Sequence, residues 1–94
     1  MATLFVRHTV KDYAQWKRVY DQFAPKRKEW GVTGAEVYRE GNGSNRIIVT
    51  HQFPDIKAAQ AFADSDELKS TMADAGVVGH PEIWFGEEVE QTRF

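Results

Sequence analysis

An α+β fold with the element order strand, helix, strand, strand, helix, strand is predicted by three features of the sequence. Residues 2–10, 33–40 and 46–53 alternate in polarity with a period of two, and an apolar run at Ile83-Trp84-Phe85 supplies a fourth strand. Aromatic residues at helical spacing follow Asp12, and an alanine-rich segment follows Asp55. Gly41-Asn42-Gly43-Ser44, between the second and third alternating runs, tolerates positive φ and so reads as a hairpin turn.

Each element has a local reason. In the first strand Leu4, Val6 and His8 share one face and Phe5, Arg7 and Thr9 the other, because successive side chains point to opposite sides of a sheet. Asp12 is a helix N-cap candidate, and Tyr13, Trp16, Tyr20 and Phe23 then fall on one helix side. Pro25 lacks an N–H, so the helix breaks there and restarts, ending at Gly31. Lys26-Arg27-Lys28 reads as the solvated side of that last turn. The second strand puts Ala35, Val37 and Arg39 on one face and Glu36, Tyr38 and Glu40 on the other. Ala58, Ala59, Ala61 and Ala63 let the next helix approach a sheet closely, with Phe62 as anchor. Ser65 caps a further helix that stops at Gly76, residues 77–81 form a connection, and the last strand runs to about Val89.

This order is the ferredoxin-like plan: an antiparallel sheet of order 4-1-3-2 with both helical regions on one face, the two central strands being taken as parallel to each other. Ninety-four residues with 41% hydrophobic and 28% charged content describe one domain spanning 1–94. The formal charge of −2 offers no broad attraction to nucleic acid or an anionic membrane, so neither is an expected partner. No segment has the roughly 20 apolar residues of a membrane span, no leader precedes the first strand, and cysteine is absent, all of which suit the cytoplasm. The absence of cysteine also removes thiolate metal sites and cysteine nucleophiles.

With parallel central strands, His8 and His51 would end neighbouring strands on the same face, and His80, just before the fourth strand, would return to that edge. Both helices would begin there too, bringing Tyr13, Trp16 and free backbone N–H groups whose partial positive charge suits an anionic oxygen. The candidate catalytic residues are therefore His8 and His51, with Tyr13, Trp16 and His80 binding a small aromatic substrate. Imidazole is the one side chain whose ordinary pKa lies near neutrality, which fits it to move a phenolic proton. A metal needs its nitrogens about 2.0–2.1 Å from one point, and His80 lies on a connection, so no metal site is assigned. The alternative for each histidine is a hydrogen-bonded place in the core. On the other face Phe5, Tyr38 and Ile48 leave an apolar surface that a second copy would cover sheet to sheet, and an intersubunit ion pair is the simplest account of Arg7.

The strand Leu4-Phe5-Val6-Arg7-His8, the Asp12 to Tyr20 helix start, Gly31-Val32 and the segments Ser65-Asp66-Glu67-Leu68 and Gly76-Val77 together resemble the dimeric α/β-barrel superfamily, in particular its small antibiotic-biosynthesis-monooxygenase-like proteins. The resemblance implies a homodimer closing an α/β barrel. It also implies oxidation of phenolic or quinol-type molecules without a cofactor. The haem-degrading branch carries a ligating histidine in its second helical region; Asp55 to Ala75 has none, so haem is not expected. The competing functional reading is a dimeric small-molecule-binding or structural protein of the same fold. An RNA-recognition module shares the element order, but Arg46 to Phe53 lacks its glycine-aromatic signature.

Overall fold

The computed structural model describes residues 1–94. Four strands, β1 (Ala2–Val10), β2 (Gly34–Arg39), β3 (Arg46–Phe53) and β4 (Val77–Glu87), form one sheet in the order β2-β3-β1-β4. The helices are α1 (Tyr13–Gln22), α2 (Ala24–Glu29), α3 (Ile56–Ala63) and α4 (Asp66–Asp74). The ferredoxin-like order and the single helical layer are as the sequence predicts. No helix is long and apolar enough to cross a membrane.

The helix ends follow local chemistry. The Asp12 carboxylate accepts from the Ala14 and Gln15 N–H groups, Asp55 accepts from Ala58, and the Ser65 hydroxyl accepts from Leu68, each satisfying donors that a helix leaves free at its start. Pro25 sits in the first turn of α2, where its missing N–H removes no bond. Gly31 and Gly76 take φ of 102° and 82°, the left-handed conformation that ends α2 and α4.

Two expectations are corrected by the sheet. All neighbouring strands, including the central pair β1 and β3, are antiparallel, with His8 opposite Ile47 and Leu4 opposite His51. The connectivity requires this: the helical return through α1 and α2 leaves β2 running with β1, and the 41–44 hairpin turns β3 back. In consequence α1 and α3 begin at opposite ends of the sheet, so their N-termini do not converge. Residues 77–81 are also not a free connection. They open β4, whose pairing with β1 shifts register between Arg7 and Thr9, and the strand ends at Glu87.

The parities hold. Leu4, Val6, His8 and Val10 face the helices together with Ile47, Val49, His51 and Phe53, and all eight are buried. The core forms two clusters on this face. One gathers Leu4, Val6, Phe53, Ala59, Phe62, Ala63 and Leu68, and the other Val10, Trp16, Ile47, Val49 and Ala75. On the opposite face Phe5 stacks on Trp84 with centroids 5.3 Å apart. Arg7 has partners within the chain: it bonds to Glu40 at 2.6 Å and lies 3.8 Å from Glu82. Arg46 joins the same carboxylates at 2.8 and 3.8 Å.

Candidate functional site

Between the two core clusters the helices do not close down on the sheet. The space left is a narrow cavity of about 40 Å³, room for about three waters at roughly 10–15 Å³ each. Val6 and His8 of β1 and Val49 and His51 of β3 form its floor; Trp16, Tyr20, Phe23 and Arg27 from the first helical region form one wall, and Leu68, Met72 and Ala75 of α4 and its end form another.

The histidines reach this cavity by a different route from the one expected. Four residues separate His8 from Leu4, the partner of His51, which places their Cα atoms roughly 13 Å apart along the strands. They do not share a strand end, yet both sit on the helix-facing side and line the same space. His8 packs edge-on to Trp16 at 5.8 Å and His51 edge-on to Phe62 at 5.4 Å. Neither side chain is hydrogen-bonded in the chain: both His8 nitrogens and Nδ1 of His51 are buried without a partner. This departs from the ordinary core histidine, whose nitrogens are satisfied by neighbouring polar groups. Burial pushes His8 down to about 4. Burial, the Arg27 charge and His8 together push His51 down to about 4. Both rings are therefore neutral at pH 7, each offering one N–H donor and one acceptor nitrogen.

The remaining predicted residues separate. Trp16 is buried against the cavity and stacks on Tyr20 at 4.9 Å. Tyr13 stacks on the far side of Trp16 at 5.9 Å, with the Arg39 guanidinium 4.3 Å above its ring, and supports the wall without lining the space. His80 is exposed in the irregular start of β4 and does not line the cavity, so the expected cluster of three imidazoles at one rim does not form. No group of three or more histidine or carboxylate side chains is placed to hold a metal ion.

Sequence reasoning missed Arg27. The charged run containing it reads as solvated, but Arg27 is only 9% exposed, lies over the Tyr20 ring at 3.6 Å and donates from Nη2 to the Tyr20 carbonyl at 3.1 Å. The signal was present: Tyr20, Phe23 and Arg27 stand at i, i+3 and i+7, so the aromatic stripe continues through the restarted helix.

This geometry defines a ferredoxin-like protein with an aromatic-walled, histidine-bearing cavity under its helices. Neither a protein-family model nor a curated protein matches the chain in sequence. Solved structures match its fold, and several of them are named, outright or provisionally, as antibiotic biosynthesis monooxygenases. SnoaB from Streptomyces nogalater, a cofactor-independent oxygenase, superposes with a TM-score of 0.77 at 16% identity over 96% of this chain and 94% of its own. A Bordetella bronchiseptica protein provisionally named an antibiotic biosynthesis monooxygenase gives 0.80 at 13% identity over 95% and 97%. A dimeric ferredoxin-like protein from an uncultured marine organism gives 0.64 at 10% identity over the whole of both chains. The likeness is one of fold.

Proposed function

We propose that this chain is a cofactor-independent monooxygenase acting on a small phenolic or quinol-type aromatic held between sheet and helices. The observation that carries the reading is His8: a neutral imidazole with both nitrogens buried and unpartnered, facing an apolar cavity beside Trp16. The acceptor nitrogen takes the phenolic proton. The imidazolium so formed pairs with the new oxyanion, which offsets the desolvation that keeps the free ring neutral. The electron-rich ring then reacts with oxygen. For an anthrone, oxidation of the ring CH₂ to C=O gives up four electrons; dioxygen accepts them, placing one atom in the carbonyl and the other in water. No further reductant is needed.

Entry of a ring requires the cavity to widen. Met72 supplies the means, since it is half-buried on the α4 wall and its unbranched side chain adopts other rotamers readily. The small resting volume is the one observation that favours the second reading, a dimeric binding or structural protein without chemistry, in its structural form. Oxygen uptake by chelator-treated, flavin-free protein supplied with an anthrone separates them: enzyme-dependent uptake is expected, and an uptake no faster than that of the anthrone alone would leave the second reading.

The open sheet face supports a homodimer. Trp84 and Tyr38 are 42% and 50% exposed there beside Phe5 and Ile48, a surface whose burial by a second sheet removes apolar area from water. Light scattering at micromolar concentration should give a dimer of this 10.8 kDa chain. Trp84→Ala, which removes one side of the Phe5 stack, should raise the dissociation constant by roughly tenfold or more. A folded wild-type monomer would remove the dimer.

A further inference from the structure

Arg27 carries a charge that the chain itself does not answer. It belongs to none of the seven ion pairs, although the sequence holds fourteen carboxylate side chains. Its Nε is buried and donates to nothing. Guanidinium stays protonated in any folded protein, so this is a permanent cation, nine-tenths buried, in a wall that is otherwise mostly apolar. Tyr20 covers it with a ring face and one carbonyl, which partly replace water but supply no negative charge. A buried cation without a counter-ion opposes folding. Such an arrangement is explained if the missing counter-charge arrives with a ligand.

The surroundings say what kind of ligand. Trp16, Val19, Phe23 and Met72 give the space a hydrocarbon lining, while the partnerless nitrogens of His8 and His51 lie in the sheet floor. We propose that the cavity is an anion site for a small aromatic monoanion, its carboxylate, phenolate or enolate oxygen held by Arg27 and its ring held among Trp16, Phe23 and Met72. This names the substrate class of the same site. It rests on the placing of substrate in this cavity, but not on turnover. Arg27 is then the residue that selects for charge, and a phenolate formed by loss of its proton to His8 finds a fixed positive charge already in the wall.

The test is calorimetric binding of 2-naphthoate and of its neutral counterpart 2-naphthalenemethanol, in wild type, Arg27→Met and Arg27→Lys. Wild type should prefer the naphthoate by about 10- to 100-fold, the range expected for a hydrogen bond between charged groups. Arg27→Met should bind the two probes about equally while retaining its affinity for the alcohol. Arg27→Lys, which keeps the charge but loses the planar fork, should retain part of the preference. Equal affinities in wild type, binding of neither probe, or an undiminished preference in Arg27→Met would overturn the assignment. If Arg27→Met fails to fold, the wild-type ratio and Arg27→Lys decide it. Failure of oxygen uptake with the anion preference intact removes the enzyme reading alone; uptake without the preference removes this assignment alone.

Discussion

His8→Ala should slow oxygen uptake by about 10²- to 10⁴-fold, the usual contribution of a positioned general base, while leaving the dimer intact. His8 is the stronger of the two histidine candidates because both its nitrogens are free, whereas His51 faces the Arg27 charge, which disfavours taking up a proton. The substitution enlarges the cavity beside Trp16, so a structural role would show as weakened substrate binding with turnover per bound molecule unchanged. A role in proton removal shows in the opposite way, as a fall in kcat with little change in KM. Uptake that survives at the wild-type rate would retire His8 as the base.

Acidification below pH 6.5 should destabilise the fold through its two buried histidines. Both buried histidines have pKa values of about 4 in the folded chain against 6.5 when exposed. Below pH 6.5 the unfolded chain therefore takes up two protons that the folded chain refuses, and linkage makes stability fall as pH falls until about pH 4. Between pH 6.5 and 5 the loss is about 1.5 kcal/mol for each histidine and about 3 kcal/mol for the pair. Denaturant unfolding across this window measures it. The double variant His8→Gln, His51→Gln should flatten most of the slope, and an unchanged slope would place the titrating groups elsewhere.

The faces of the strands were legible in the sequence because side-chain alternation is a local property. Leu4, Val6 and His8 could be assigned to the helix side from β1 alone, and Val49 and His51 from β3 alone. Caps and breaks were legible for the same reason: Asp12, Asp55, Ser65 and Gly76 act on atoms within a few residues of themselves. Strand direction is a property of the whole path, and the alternation of β1 and β3 says nothing about it. Reading them as parallel put His8, His51 and His80 at one rim. The antiparallel register instead spreads the first two along a shared cavity and leaves the third outside it. Arg27 escaped notice because a run of three basic residues has the composition of a solvated turn. Its burial depends on α2 restarting directly after α1 so that Arg27 lies over Tyr20, a tertiary fact that only the i, i+3, i+7 spacing from Tyr20 foreshadows.

The central claim is that two distant imidazoles are buried, neutral and turned toward one ligand space. Nitrogen-15 NMR of the histidine side chains, recorded from pH 7 to 5 with and without 1-naphthol, tests it most directly. His8 and His51 should remain neutral throughout and shift when the naphthol binds, while His80, which lies outside the cavity, ignores the ligand. Midpoints near 6.5 for His8 and His51, or a naphthol response confined to His80, would contradict the account.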